Sequence, residues 1–467
     1  MPYCSGAWAL STSDVFGTRE SESKLTRERA ESYIVAVSTI RKIEKQTAPQ
    51  ARASEEGTMD RVLDRCAGLD VHKKTVVACV RIPGEGRTRQ QDVRTFGTTT
   101  AELLALRDWL VAYQVTHVAL ESTGVYWKPV YYVLEEAVTC VLVNAAHLQH
   151  VPGRKSDMQD CVWLAQVLEH GLVRSSFVPP APIRDLRDLT RYRKTVIQDR
   201  ARIANRLQKV LEDAGIKLAS VASDVLGVSG RAMLQALVGG TTDPAVLADL
   251  ARGQLRRKLP ALRQALTGHF RTHHAFLVGR LLADLEYCEE AIADVSARIE
   301  VLMRPFAPQI DRLDTIPGIN RRTAEVLIAE LGTDMTVFPT AQHAVSWTGL
   351  APGQHQSAGK RRSVKTRPGN RWLRTALVEA ALAATHQRDC ALGARYRRLA
   401  RHRGHQKAIV AVARTLLVTA YYVLARETTY HELGAAYFDH RDQEQMKRRA
   451  LTTLQRLGYK VVLETAA

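Results

Sequence analysis

Hydrophobic and polar positions follow two different periods along this chain. From residue 66, short apolar runs alternate with turns, as in CAGLDVHKKTVVACVRI, PGEG and QDVRTFG. These runs predict a meander of strands, because β-rich segments bounded by glycine and proline are typical of strands joined by tight turns. Helical periodicity then separates two further strands, THVALES and TCVLVN. The predicted order is βββαβαβα, which indicates a mixed sheet covered by helices over residues 61–178.

Beyond the prolines of VPPAP the pattern is almost entirely helical. Residues 183–303 contain two long amphipathic stretches and predict a helical or coiled-coil arm that carries a small helical insert. Residues 310–430 predict a further helix-rich unit. Residues 1–60 are polar and are expected to form a disordered or partly helical leader, and residues 431–467 a peripheral tail. The predicted fold class is therefore an α/β domain followed by an all-α part.

Length, composition and charge narrow the function. The 467 residues exceed what one core usually supports, and 66 Lys and Arg against 48 Asp and Glu give a net charge of +18. A surface of this sign is expected to bind polyanions, nucleic acid first. The most apolar stretch, residues 408–426, contains Arg414 and is interpreted as a buried helix, so no membrane partner is expected. Seven scattered cysteines without a Cys-x-x-Cys pair favour a reduced, cytoplasmic protein.

The segment KSDMQD places two carboxylates one helical turn apart in this positive chain. Ser156 and Gln159 form a capping-box pattern, so Asp157 and Asp160 are expected on one face of the first turn of a helix. Taken alone, two acids at a helix start are explained by the helix dipole.

Two further acids change that interpretation. Asp70 lies within the first predicted strand and Glu121 ends a later one, where an unpaired carboxylate is costly. If these strands are neighbours at the centre of the sheet and the KSDMQD helix packs beside their ends, four carboxylates converge. Such a set of oxygen ligands suits Mg²⁺ or Mn²⁺. A metal pair held in this way supports phosphoryl transfer, because it activates the attacking oxygen and stabilises the leaving one.

The motifs together resemble a known family over residues 66–430. GLDVHKKTV, ALESTGVYWKPVYYVLE, VNAAHLQHVPGRKSDMQDCVWLAQVLEHGLV and LDTIPGINRRTAEVLIAELG look like the DEDD transposases of the insertion-sequence one-ten family. The resemblance implies an RNase H-like (RuvC-like) domain in which four acids are catalytic and bind Mg²⁺, with Mn²⁺ as an alternative. The residues that match are Asp70, Glu121, Asp157 and Asp160.

A basic loop in the last unit carries a candidate nucleophile. The stretch from Lys360 to Arg374 has no acid, which suits contact with phosphates. Ser357 precedes it and would by itself be interpreted as a turn residue. The resemblance implies instead that Ser357 attacks DNA and forms a covalent 5′-phosphoserine link. Ser346 and Ser363 are nearby alternatives, although Ser346 is expected to face packing partners within a helix.

Other positions are predicted to contact nucleic acid without reading its sequence. IPGIN resembles a helix-hairpin-helix turn, whose backbone N–H groups can hold a phosphate. The basic segment 395–414 favours nucleic acid over a merely solvated face. Trp372 is expected to anchor its helix in the core rather than to stack on a base. The predicted contact residues are Gly318, Lys360, Arg361, Arg362, Lys365, Arg367 and Arg371.

Three functions compete at this point. The leading hypothesis is a site-specific DNA recombinase of an insertion element, located in the cytoplasm with the nucleoid. The resemblance also implies a structured guide RNA that selects target and donor DNA by base pairing. It further implies a homodimer or homotetramer whose protomers share a composite site. The alternatives are a Holliday-junction or structure-selective nuclease that uses water as nucleophile, and a nucleic-acid-binding scaffold without activity.

Overall fold

In the computed structural model the chain divides into two compact units, one ending at Val178 and one beginning at Pro179. The structure describes residues 61–85, 88–121, 124–144, 160–353, 356–357, 360–361, 366, 368–387 and 389–461. The predicted leader therefore lies outside the described residues. So do Ser156, Asp157, Gln159, Arg362, Ser363, Lys365 and Arg367.

The first unit contains a five-stranded mixed sheet. Along the sheet the order is β3-β2-β1-β4-β5, with β1–β2 and β2–β3 antiparallel and β1–β4 and β4–β5 parallel. The predicted mixed sheet is confirmed and is consistent with an RNase H-like domain. The strands are β1 (Cys66–Val71), β2 (Thr75–Pro83), β3 (Arg89–Gly97), β4 (His117–Glu121) and β5 (Thr139–Val143).

Helices cover both faces of this sheet. The described helices are α1 (Thr100–Ala112), α2 (Trp127–Leu134) and α3 (Asp160–Glu169). Leu69 and Leu120 share a core with α1 and α2, whereas Cys66 and Ala119 pack with α3. Successive side chains of a strand point to opposite faces, so the central strands β1 and β4 are buried on both sides.

The second unit is mostly helical, as predicted. It contains two long helices, Ala181–Asp213 at its start and Thr272–Met303 further along the chain. They run antiparallel, because Asp213 contacts His274 at one end while Arg200 contacts Glu289 further along. We call this pair the arm. Between its helices lie Leu218–Val221, Val228–Val238, Pro244–Asp249, the 3₁₀ helix Gly253–Lys258 and Leu259–Leu266, which share a core with the arm.

Further helices follow the arm. Ala307–Asp314 and Arg321–Leu331 are joined by the turn that contains Gly318. Two short strands, Gln356–Ser357 and Lys360–Arg361, pair antiparallel. The remaining elements are the 3₁₀ helices Arg304–Phe306 and Met335–Val337 and the helices Ala341–Trp347, Arg371–Thr385, Ala391–Arg403, His405–Arg426 and Tyr437–Arg456.

Among the described residues, one helix, His405–Arg426, has the length and hydropathy of a membrane span. It packs against the neighbouring helices Arg371–Thr385 and Ala391–Arg403, and more than half of its most apolar window is buried. Arg414 donates a hydrogen bond from Nη2 to Gln342 Oε1 at 2.7 Å. The prediction that this helix is buried is therefore confirmed. A helix in the core of a protein also has this length and hydropathy.

Candidate active site

Two predicted acids lie side by side at the centre of the sheet. β1 and β4 are adjacent and parallel, with Leu69 opposite Leu120. The next residues along the two strands, Asp70 and Glu121, are therefore level with each other and point to the same face. Both are partly buried. The expectation that their strands are neighbours is confirmed.

A third acid joins them from helix α3. Asp160 is the first residue of α3, and its Oδ1 atom is buried from solvent. The pKa of Asp70 is raised above its ordinary value, first by burial and then by the negative charges of Asp160 and Glu121. His72 opposes this shift, since its Nε2 lies 3.1 Å from Asp70 Oδ2. Three of the four predicted acids thus form one electrostatic cluster, and Asp157 lies outside the described residues.

Small residues allow α3 to approach β1 this closely. A Cβ atom at Gly68 would lie 2.2 Å from the carbonyl oxygen of Cys161 and 2.5 Å from the amide nitrogen of Ala165. Cys66 contributes a further contact, from Sγ to the Ala165 carbonyl oxygen at 3.5 Å. The backbone of α3 therefore rests on β1 at Gly68, two residues before Asp70, and this contact places Asp160 beside the strand.

The other end of α3 is anchored by a buried acid that the sequence analysis missed. Glu169 is 1% exposed. Arg81 Nε on β2 donates to its Oε2 at 2.7 Å, and Arg89 Nε on β3 lies 3.0 Å from its Oε1. A buried carboxylate requires such partners. The Glu169 contacts therefore fix the rotation of α3 against the sheet, and with it the direction of Asp160.

The donor set fits a divalent cation. Asp70, Glu121 and Asp160 offer carboxylate oxygens only, which are the ligands that Mg²⁺ and Mn²⁺ prefer. Burial, and then repulsion from the other two acids, raises the pKa of Asp70, and a bound cation would relieve the repulsion.

A second cluster of acid and histidine lies on the arm but has a structural explanation. Ligand atoms of Asp213, His273 and His274 lie within 4.8 Å of one another. The backbone N–H of Arg271 donates to His274 Nδ1 at 3.1 Å, so a neutral ring carries its proton on Nε2, which lies 3.0 Å from Asp213 Oδ2. Binding a metal at Nε2 would break this arrangement. His274 therefore satisfies a backbone donor at the start of its helix.

The chain between Gly349 and Gly369, here called the serine loop, contains Ser357. The backbone of Ser357 lies in the short strand Gln356–Ser357 and pairs with Lys360 of the other short strand. The two ends of the loop meet: the N–H of Asn370 donates to the Trp347 carbonyl oxygen at 3.2 Å, and a Cβ at Gly369 would lie 2.3 Å from the amide nitrogen of Gly349. The loop thus leaves and re-enters the helical unit at one point.

Two expectations about neighbouring residues were wrong. Ser346 lies in helix Ala341–Trp347 as predicted, but it is exposed, because Ala344 and Val345 occupy the buried face. Trp372 is only partly buried rather than a core anchor, and the guanidinium groups of Arg191 and Arg371 lie over its ring at 5.9 and 4.9 Å.

The remaining predicted contacts differ in how much the structure describes. Gly318 has φ of +86°, and its Cβ would lie 2.3 Å from the carbonyl oxygen of Ala380. Close packing therefore explains this glycine, and its contact with phosphate stays a prediction. Arg371 is exposed, and the backbones of Lys360 and Arg361 form the strand beside Ser357.

Two family models match the chain. One, for DEDD transposases of the IS110 family, matches residues 67–216; the other, described as a transposase of the IS116/IS110/IS902 family, matches residues 310–397. Together they cover just over half of the chain. The DEDD designation also indicates the use of a divalent metal.

Curated relatives agree with these models. The chain is 24% identical to the transposase of insertion sequence element IS1111A of Coxiella burnetii, over 62% of this chain and 72% of that protein. It is 31% identical to an uncharacterized 43.6 kDa protein of insertion element IS110 of Streptomyces coelicolor, over 33% of this chain and 38% of that protein. It is 32% identical to the pilin gene-inverting protein of Moraxella bovis, over 25% of this chain and 37% of that protein.

The matches to the last two relatives thus span less than two fifths of those proteins. The first matched region contains the four acids, and the second contains Gly318 and Ser357. The chain belongs to the IS110 family of transposases.

Proposed function

We propose that this protein is a site-specific DNA recombinase of an insertion element that cuts and exchanges strands through a covalent serine–DNA intermediate. The observation that supports the proposal most strongly is the meeting of Asp70, Glu121 and Asp160, which come from three separate elements. Membership of the IS110 family adds support, as does the likeness to a protein named for inverting a gene. Inversion of a gene requires that DNA strands be cut and rejoined.

The four acids would hold the metal. Asp70, Glu121 and Asp160, with Asp157, supply oxygen ligands of the type that suits Mg²⁺, and His72 favours the ionised form of Asp70. Bound there, Mg²⁺ would supply activation of the attacking oxygen and stabilisation of the leaving one.

The serine would perform the bond exchange. Ser357 Oγ attacks the phosphorus of the scissile phosphate, an Oγ–P bond forms and the P–O3′ bond breaks. The released 3′ oxygen takes up the proton that the serine hydroxyl loses. A 3′-hydroxyl of another strand then attacks the phosphoserine and frees Ser357, so the number of phosphate ester bonds is conserved. Lys360, Arg361 and Arg362 would stabilise the charge of the phosphate.

We also propose that base pairing with a structured RNA selects the DNA, while the protein binds backbone and shape. The net charge of +18 supports contact with more than one nucleic acid strand. Within a dimer or tetramer, the acids of one protomer would act with the serine of another. Sequencing of the RNA that copurifies with the protein tests this part, because its loops should match the element ends and the target.

A DNA substrate with a nick near the cleavage site tests the serine step, since it traps the intermediate by loss of the short strand. The wild type should give a protein–DNA adduct that survives denaturing electrophoresis, and Ser357→Ala should give none. Asp70→Asn should also abolish the adduct. Ser346→Ala is the matched control, because Ser346 is exposed but lies in a helix. Free DNA ends without an adduct from the wild type would favour the nuclease instead.

A further inference from the structure

Glu330 is a fully buried acid in helix Arg321–Leu331, and its carboxylate accepts hydrogen bonds from residues far away in sequence. Arg191 donates from Nε to Oε1 at 2.7 Å and from Nη2 to Oε2 at 2.8 Å. This two-point pairing is the strongest form of the arginine–carboxylate contact. Arg187, one turn earlier on the same arm helix, donates from Nη2 to the Glu330 backbone oxygen at 2.6 Å. The first arm helix is therefore bonded to Glu330 at two residues.

Glu330 also bonds the end of the serine loop. Asn370 Nδ2 donates to Glu330 Oε2 at 2.5 Å. The other side-chain atom, Oδ1, accepts from the backbone N–H groups of Trp372 and Leu373, both at 3.0 Å, and so caps helix Arg371–Thr385. The Asn370 backbone N–H donates to Trp347. Asn370 is thus fixed at three groups, which bond to Glu330, to the following helix and to the start of the loop.

The base of the loop has no room to adjust. Gly369 lies against Gly349 so closely that a Cβ would meet backbone atoms at 2.3–2.6 Å. Arg374 Nη1 donates to the Gly349 carbonyl oxygen at 3.3 Å. Both ends of the loop are therefore held by backbone contacts around Asn370, and any displacement of Asn370 moves both ends.

We infer that Glu330, Arg191 and Asn370 form a clamp that fixes the base of the serine loop to the arm and thereby positions Ser357 for attack. The inference rests on the proposed function. These three are positioning residues, since they act on the loop that carries the nucleophile. A reacting atom displaced by about 1 Å costs on the order of a hundredfold in rate, so a loop base held by paired buried groups matters to the chemistry. The arrangement also connects the arm to the serine loop through one buried carboxylate.

Asn370→Ser tests the clamp. Serine caps a helix about as well as asparagine but lacks the amide donor, so the cap is kept and the bond to Glu330 is lost. Asp243→Ser is the matched control, because Asp243 caps helix Pro244–Asp249 through the Ala245 N–H and lies between the arm helices in sequence, outside the serine loop. Single-turnover adduct formation on nicked DNA should be about a hundredfold slower for Asn370→Ser and within about twofold of wild type for Asp243→Ser.

Three companion measurements separate positioning from stability. The dissociation constant for the same DNA should be similar for the two serine variants. Asn370→Ser should melt at a lower temperature, because it loses a hydrogen bond to a buried carboxylate, so the rates are compared well below both melting temperatures. Glu330→Gln should slow the adduct step at least as much, because it weakens the pairs with Arg191 and Arg187 as well as the bond to Asn370. Adding Asn370→Ser to it should slow the step little further, because the Glu330–Asn370 bond is already disturbed. Equal adduct rates for Asn370→Ser and Asp243→Ser would overturn the clamp, whereas absence of any adduct from the wild type would overturn the proposed function instead.

Discussion

Asp70 faces opposite requirements with and without a cation. Its pKa is raised by burial and by two neighbouring acids, so the folded state favours the protonated carboxyl more than the unfolded state does. In metal-free protein, the contribution of Asp70 to stability is therefore greatest below the ordinary aspartate pKa and is lost as the pH rises through the raised folded value. At neutral pH the ionised group destabilises the fold until a cation binds.

The first prediction follows from that balance. Asp70→Asn should raise the melting temperature of metal-free protein at about neutral pH, because the amide, like the protonated carboxyl, carries no charge. It should also abolish the stabilisation by Mg²⁺, which for wild type amounts to about 2.7 kcal/mol at ~100 times the Kd. Thermal unfolding with and without chelator measures both effects. Asp108→Asn on α1, where the acid is exposed, should change neither. A full Mg²⁺ shift in Asp70→Asn would exclude Asp70 as a ligand.

At the scale of the element, α3 carries the site because it is held at three places. Its first turn lies beside Asp70, its middle rests on Gly68, and its last residue pairs with arginines of β2 and β3. A shift at the middle or at the end of α3 should therefore be felt by the acids at its start.

Gly68→Ala tests the contact in the middle. The added Cβ would overlap backbone atoms of α3, so the helix must move away from β1. We expect a loss of about 1–3 kcal/mol in the free energy of unfolding and a smaller Mg²⁺ stabilisation. In Gly279→Ala the new Cβ would meet Val238 at 3.4 Å, an ordinary contact. That variant should keep the Mg²⁺ effect and gain up to about 1 kcal/mol from helix propensity. Equal Mg²⁺ stabilisation in both variants would contradict the role of Gly68.

Glu169→Gln tests the anchor at the end of α3. It leaves Arg81 and Arg89, which are 12% and 8% exposed, without their buried counter-charge. Removal of one partner from a buried pair costs about 3–5 kcal/mol, measured here by denaturant unfolding. Glu379→Gln removes the carboxylate of an exposed pair with Lys194 and should cost less than about 1 kcal/mol. Similar losses in the two variants would mean that Glu169 contributes no more than a surface ion pair.

Sequence patterns predicted the sheet and three converging acids because both depend on local periodicity. Asp70 and Glu121 stand out within apolar strand runs, and the carboxyl ends of parallel strands meet at one edge. Glu169 and Glu330 could not be found in this way. Each looks like an ordinary polar residue of a helix, and its arginine partners lie 88 and 139 residues away. Gly68 did leave a signal, since glycine inside a strand often marks close backbone approach.

At the scale of the whole molecule, positive charge should govern binding to DNA. Helix Ala391–Arg403 overlaps the predicted basic segment 395–414 and exposes Arg397, Arg401 and Arg403. Replacing all three by Gln should make the negative slope of log K, the DNA association constant, against log salt shallower by up to about 2.7. Each phosphate contact contributes about 0.9 to the size of this slope. Fluorescence anisotropy of a labelled duplex over a KCl series measures the slope.

A matched control separates this helix from net charge. Arg256, Arg257 and Lys258 are exposed in the arm insert, and replacing them by Gln removes the same number of charges. We expect that triple variant to keep the wild-type slope. If both triple variants lower the slope equally, the positive charge acts as a whole and Ala391–Arg403 is no special contact surface.

The backbone hydrogen bond between Trp347 and Asn370 also has a practical use. Since the stretch between them starts and ends at neighbouring backbone atoms, another stretch can be grafted in its place without redesign of the flanking helices. A homologue's version of that stretch could be transplanted as a cassette between Gly349 and Gly369, with both glycines retained. Chimaeras of this kind would compare nucleophile segments from many mobile elements on one common scaffold.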